Sequence, residues 1–540
     1  MSRSDLAKKQ DERWRRWVHT PRSGSPPSAD AWAAFQEIFA ERPEEDGPPR
    51  VWEPVVETVA RSNAGQLARE RGLDGFEALH TWSVVEREGF WERVIERLGI
   101  VLDAPPRRIL DDSLGAEHPV WLPGARLNTV ASCFSDPERA ARAAIVSGRE
   151  GSAALGVVTA GDLQRRVETL SAGLMARGLG PRDAVGLYMP LNADCVAAYL
   201  ALVALGCRTV PIAESLAAPE VRRRLEIGDV EAVLTQATYK RGGKEIDLLA
   251  TVRAAGAPRT WVLPGPDGEM PELVGAERPW SELELAPGSA PLHIADPYAV
   301  TTVLFSSGTT GTPKAIPWNH LTPIKAAMDA CFHQDVHPGD VLCWPTSLGW
   351  MMGPWLIWAA LLNGATMALW EGSPTGPELT RFVERARVTM LGIVPSLVRA
   401  WRASGATDGA DWRGVRVFSS TGEPSGPHDY VWLMGLGGFR APVIEYCGGT
   451  EIGGGYVTGS VTLPASPACF STPALGLDLA LLDETGRPAD EGEVFLAPPS
   501  IGLSQELLNA DHHEVYFAGC PAGPEGEVLR RHGDSLERLP

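Results

Sequence analysis

Short, uninterrupted apolar runs alternate with helix-length segments through most of the chain. Ala184 to Met189 reads as a strand, flanked by helical stretches over Leu163 to Arg177 and Ala193 to Leu205. Thr209 to Ala213, Ala232 to Gln236 and Thr260 to Leu263 continue the series. A second series runs through Thr302 to Phe305, Val341 to Trp344, Thr366 to Trp370, Thr389 to Val394, Val415 to Ser419 and Val443 to Tyr446, with helices over Pro377 to Arg387 and Leu397 to Ala403. Strands apolar on both faces and spaced by helices predict mostly parallel sheets covered on both sides. After Leu475 the strands become short and turn-bounded (Asp478 to Leu482, the turn Asp483 to Gly486, Glu493 to Leu496), which predicts a small antiparallel, barrel-like unit. Ala31 to Ala40 and Phe90 to Leu98 show helical spacing, and Arg22 to Ser28 is a Pro/Ser/Gly-rich loop. The expected fold class is therefore α/β. A peripheral helical extension (1–125) precedes lobe one (126–297), lobe two (298–474) and the small β unit (475–540).

Leu348 to Trp370 is nearly free of charge, but Gly353-Pro354 and Asn363-Gly364 divide it into pieces shorter than the roughly 20 residues a spanning helix needs. A buried helix followed by a buried strand is expected there. The formal net charge of −19 argues against non-specific contact with nucleic acid or an anionic membrane. Met1 to Arg16 holds no apolar run of a secretory signal, and the eight cysteines form no Cys-x-x-Cys pair. Reduced thiols in the cytoplasm are the expectation. His512-His513, taken as extended, would point to opposite faces, so no metal site is expected from them.

Candidate chemistry concentrates in Leu304-Phe-Ser-Ser-Gly-Thr-Thr-Gly-Thr-Pro-Lys314, a strand running into glycines, hydroxyls and a lysine. Glycines let backbone amides approach a phosphate, hydroxyls add donors, and lysine adds a positive charge. Thr312-Pro313 separate Gly311 from Lys314, so this is not a Walker A loop. The segment resembles the phosphate-binding signature of the adenylate-forming superfamily of acyl-CoA synthetases, luciferases and peptide-synthetase adenylation domains. Ser419-Ser-Thr-Gly-Glu-Pro424 resembles its adenine loop, Glu445-Tyr-Cys-Gly-Gly-Thr-Glu451 its phosphate and magnesium segment, and Arg531-His-Gly-Asp534 its ribose motif. Trp121 to Asn128 and Leu342 to Trp350 are similar to the acetyl-CoA-synthetase-like branch. Gly349 to Trp355, Cys447 to Gly454 and Asn509 to His513 resemble plant acyl-activating enzymes of the peroxisomal type. The likeness spans essentially the whole chain and is weakest before Trp82.

The resemblance implies an AMP-forming acid–thiol ligase: a carboxylate attacks the α-phosphorus of ATP, and the acyl group then passes to coenzyme A. It implies ATP, Mg2+ and coenzyme A as cofactors, with Lys314, Thr450 and Glu451 catalytic and Glu451 carrying the metal. Nucleotide contacts are implied for Ser306, Ser307, Gly308, Thr309, Thr310, Gly311, Thr421, Gly422, Glu423, Pro424, Glu445, Tyr446, Cys447 and Asp534. Arg241-Gly-Gly-Lys244 resembles a segment that contacts the nucleotide phosphate of coenzyme A. An acyl pocket is expected from Trp350, Met351, Met352, Gly353, Thr421, Gly448 and Gly449. Gly448 stands where acetate-specific relatives resemble one another in a pocket-closing tryptophan, so an acid larger than acetate is expected. The family's C-terminal lid domain is not found before Pro540, which makes a slow or half-reaction form the expectation. An amine or carrier-protein acceptor, or a non-catalytic acid or nucleotide sensor, are the alternatives.

Overall fold

The computed structural model describes residues 4–20, 28–285, 289–306 and 312–540. Two seven-stranded sheets dominate it. In the first, the spatial order is Glu277–Pro279, Arg259–Leu263, Ala232–Gln236, Ala184–Tyr188, Arg208–Pro211, Val300–Ser306 and Lys314–Asn319. In the second it is Val443–Glu445, Val417–Ser420, Met390–Ile393, Val341–Cys343, Thr366–Glu371, Ala143–Arg149 and Gly156–Thr159. All neighbours are parallel except one hairpin at an edge of each sheet. Sheet membership does not follow the expected division at 297/298. Ala143–Arg149 joins the second sheet, with Met367 opposite Ile145, whereas Val300–Ser306 joins the first, with Thr302 opposite Thr209. An apolar run identifies a strand but not its partner, so this exchange is invisible in the sequence. Lys314–Asn319 was not expected as a strand. Its Pro317 is tolerated because the strand lies at a sheet edge.

The expected helix-then-strand reading of Leu348 to Trp370 matches helix Met352–Leu362 and strand Thr366–Glu371. Every residue of that helix is buried, and none is charged. Trp358 Nε1 donates to the Tyr199 hydroxyl at 3.0 Å and Trp355 Nε1 to the Tyr446 hydroxyl at 3.1 Å, so the buried indoles keep hydrogen bonds. Among the described residues no helix is long and apolar enough to cross a membrane.

The N-terminal segment is not wholly peripheral. Phe90, Trp91 and Val94 of helix Arg87–Arg97 are fully buried in the main core, together with Trp121, Trp355 and Trp358. Helix Asp5–His19 packs Trp14 edge-on to Phe439 and donates its indole N–H to the Val51 carbonyl at 3.0 Å. The expected unit at 475–540 contains one three-stranded antiparallel sheet, Asp478–Leu482, Glu491–Ala497 and Arg530–Glu537, and a second, Cys447–Gly449, Gly454–Thr458 and Thr472–Pro473, precedes it. His512 and His513 lie in helix His512–Tyr516 rather than on an extended segment, with Asp511 capping the Glu514 amide; His513 Nδ1 lies 3.0 Å from Glu117.

Candidate active site

Strands of both sheets end at a cavity of about 900 Å3, the usual place for a ligand in parallel α/β proteins. Ser306 closes its strand there and Lys314 begins the return strand; Glu371, Val394 and Thr421 follow strands of the second sheet. Gly448, Gly449, Thr450 and Glu451 come from the hairpin of Cys447–Gly449 and Gly454–Thr458, and Asp534 from strand Arg530–Glu537. Arg241, Trp350, Met351, Met352, Gly422 and Glu423 complete the expected residues that line it. Segments far apart in sequence therefore converge on one space. Ser307, Gly308, Thr309, Thr310 and Gly311 lie outside the described residues.

Lys314 Nζ sits 5.1 Å from the centroid of the Tyr516 ring and makes no salt bridge among the described residues. The buried Ser306 hydroxyl likewise finds no partner among them. A cation with no ion pair and a hydroxyl with no hydrogen bond among the described residues suit a phosphate. The Glu451 backbone is fixed by the Ser504 amide, which donates to its carbonyl at 2.7 Å, and Trp318 Nε1 donates to the Thr450 carbonyl at 2.7 Å. Gly449 leaves room for the Glu451 carboxylate, since a Cβ there would lie 2.5 Å from its Oε1. Burial opposes ionisation of Glu451, but His532 and Arg530 overcome it and lower its pKa. One carboxylate, with Thr450 preceding it in the chain and lining the same cavity, is a sparse set of hard oxygen donors. It fits Mg2+, which takes most of its ligands from phosphates and water. Among the described residues no group of three or more His, Cys, Asp or Glu is arranged to hold a metal by itself.

His532 was passed over in the sequence, and its place is central. Its Nδ1 lies 3.4 Å from Glu451 Oε1 and its Nε2 3.1 Å from Asp534 Oδ2. Burial disfavours the imidazolium, yet the hydrogen bond to Asp534 and the nearby Glu451 carboxylate prevail and raise its pKa to about 9. The same contact with His532 chiefly holds Asp534 down at about 2. Arg530 was missed as well. It is fully buried, stacks on Tyr516 at 4.2 Å and donates to Ser504 at 2.8 Å. The one available signal was position: His532 lies within the Arg531-to-Asp534 motif and Arg530 directly precedes it.

Several expected residues do not reach the cavity. Tyr446, in the break between strands Val443–Glu445 and Cys447–Gly449, points into the core, where its hydroxyl donates to Asp329 at 2.6 Å. Glu445 is also buried, and burial raises its pKa to about 7. Cys447 contacts Tyr456 and Asp534 from behind the cavity wall. Pro424 is not in the lining, and Gly353 packs on the chain, since a Cβ there would lie 2.4 Å from the Ser347 carbonyl oxygen. Lys244 is exposed opposite Arg241 in a two-stranded hairpin. In its turn the amides of Gly242 and Gly243 already donate to Glu150, at 2.8 and 2.5 Å, as does Ser373 at 2.7 Å. Only Arg241 of that segment faces the cavity, 3.6 Å from Glu214.

Comparisons with known proteins agree with this geometry. Residues 138–503 match the AMP-binding enzyme family, and residues 76–133 match the acetyl-coenzyme A synthetase N-terminus. The chain is 41% identical to a probable peroxisomal acyl-activating enzyme 17 of Arabidopsis thaliana, over 90% of this chain and 71% of that protein. It is 40% identical to a hexanoyl-CoA synthase of Cannabis sativa, over 91% of this chain and 72% of that protein. The acetoacetyl-CoA synthetase from Streptomyces lividans superposes with a TM-score of 0.82 at 29% identity, covering 91% of this chain and 78% of that one. The chain belongs to the AMP-binding enzyme family, among the acyl-activating, AMP-forming acid–CoA ligases that use ATP, Mg2+ and coenzyme A.

Proposed function

We propose that this chain adenylates a carboxylic acid larger than acetate and passes the acyl group to coenzyme A. The observation that carries the reading is the convergence of Lys314, Thr450, Glu451 and Asp534 on one cavity. Apolar side chains line the same cavity: Trp344, Met351, Met352 and Val394. Lys314 and Ser306 would take the phosphates, Asp534 the ribose hydroxyls, and Thr421 and Gly422 the edge of the adenine. Thr450 and Glu451 would hold Mg2+, which supplies Lewis-acid neutralisation of the phosphates. The two reactants are anions, so positioning and charge neutralisation are the main tasks of the protein. Methionines at positions 351 and 352 offer an adaptable lining for an acyl chain. The hexanoyl-CoA synthase among the relatives supports a medium-chain acid.

A second acceptor, an amine or carrier protein, is favoured by one feature. The Gly242 and Gly243 amides are already engaged by Glu150, which leaves Arg241 as the single cation of its segment at the cavity. Incubation with Mg-ATP, coenzyme A and a panel of acids, with products read by mass spectrometry, separates the two. Acyl-CoA supports the first reading, and acyl-AMP without thioester overturns it. The eight free thiols support a reducing compartment, which we take as the cytoplasm. Fractionation that places the protein in peroxisomes, the location in one relative's name, would overturn that assignment.

A further inference from the structure

Beneath the hairpin that presents Thr450 and Glu451 lies an ion pair with no solvent contact. Lys325 Nζ is 2.6 Å from Asp329 Oδ1, one helical turn apart on helix Thr322–Phe332, and both side chains are 0% exposed. Burying two charges is expensive, and replacement by apolar residues is often neutral or stabilising, so the pair is weak evidence for stability alone. What Asp329 does with its other oxygen is specific. Oδ2 accepts the Tyr446 hydroxyl at 2.6 Å and the Gly455 amide at 2.8 Å. Those two residues bracket the segment that carries Gly448, Gly449, Thr450 and Glu451. One carboxylate therefore ties together both ends of the loop that faces the cavity.

The glycines around it are shaped to this contact. A Cβ on Gly454 would stand 2.3 Å from Asp329 Oδ2, one on Gly455 2.7 Å from the Tyr446 ring, and one on Gly502 2.7 Å from Lys325 Cγ. Two chain segments thus close on the ion pair as bare backbone. Trp355 completes the set by donating to the Tyr446 hydroxyl from the buried helix Met352–Leu362.

We propose that Asp329, neutralised by Lys325 and joined to Tyr446, is a positioning residue that sets Thr450 and Glu451 for magnesium-bound nucleotide. This rests on the adenylation reading above, in which those two residues hold the metal. None of the three buried side chains lines the cavity. They act through the hairpin, so their effect should be confined to the magnesium-dependent part of nucleotide binding.

The test is calorimetric titration of the chain with ATP, in magnesium and again in EDTA, for the unmodified protein, Tyr446→Phe and Tyr199→Phe. Tyr199 is a matched control. It is equally buried and also accepts an indole N–H, from Trp358, but it bonds Thr302 instead of the hairpin clamp. Tyr446→Phe removes a hydrogen bond to a charged group, which predicts a Kd for Mg-ATP about tenfold weaker. The Kd in EDTA should stay unchanged, and Tyr199→Phe should alter neither. Asp329→Asn serves as a second variant if Tyr446→Phe does not fold. Its amide NH2 opposes a donor, so the shift has the same direction. Equal magnesium dependence in Tyr446→Phe and unmodified protein, or an equal shift in Tyr199→Phe, overturns the proposal. Failure of the unmodified chain to bind nucleotide in either condition overturns the adenylation reading itself, and the clamp with it.

Discussion

Replacing Gly448 by alanine places a Cβ 1.9 Å from the Gly454 carbonyl oxygen, where ordinary contact begins at 3.4 Å. The neighbour is backbone, held in a strand pair in which Gly449 opposes Gly454, so no side chain can swing aside. The strands must part by about 1.5 Å, an overpacking that costs about 1–3 kcal/mol. That displacement falls on the hairpin bearing Thr450 and Glu451, and a misplacement of about 1 Å can cost on the order of a hundredfold in rate. Gly448 is thus required for close backbone approach as well as for an open pocket. Acid-dependent ATP–pyrophosphate exchange should fall at least tenfold in Gly448→Ala with every acid tested, alongside a lower melting temperature. Unchanged exchange with only a shift toward short acids would refute this reasoning and return Gly448 to the role of a missing wall.

Other positions separate the functions more cleanly. Met352→Trp fills the cavity from the start of a rigid helix and should lower the hexanoate-to-acetate ratio of kcat/KM at least tenfold; an unchanged ratio places the acyl chain elsewhere. Lys314→Ala removes a cation with no salt bridge among the described residues, and exchange should fall about 10- to 100-fold, partly recovered in Lys314→Arg. Arg241→Ala should raise the KM for coenzyme A about tenfold while leaving pyrophosphate exchange unchanged; an equal loss of exchange would move Arg241 to the nucleotide. Glu445 carries a pKa raised by burial from 4.5 to about 7, so its favourable protonated state is fully present below about 4.5 and is lost as pH rises through about 7. Melting curves should show Glu445→Gln gaining on the unmodified protein across that window, by roughly 3 kcal/mol at neutral pH. A constant difference from pH 4.5 to 8 would show that Glu445 ionises freely.

Local order was readable where physical pattern is local. Ala193–Leu205 and Ala232–Gln236 match their expected bounds, because a capped apolar helix and a doubly buried strand declare themselves within a few residues. The charge-free run into Trp370 also resolved correctly from its breakers alone. Partner choice was not readable: nothing in Ala143–Arg149 says that it belongs beside Thr366–Glu371 rather than with the strands that follow it. Side-chain direction was equally hidden. A motif places Glu445, Tyr446 and Cys447 in one segment with Glu451, but Tyr446 faces Asp329 in the core while Gly448 lies at the cavity. His532 and Arg530 act through burial and through Glu451, about eighty residues earlier in the chain, which no spacing rule reveals.

Acid-dependent ATP–pyrophosphate exchange, with hexanoate and acetate compared under identical Mg-ATP, tests the proposed chemistry most directly. Exchange supported by hexanoate well above acetate, and abolished by Glu451→Ala, is the predicted result. Exchange that prefers acetate, or none with any acid, would contradict it.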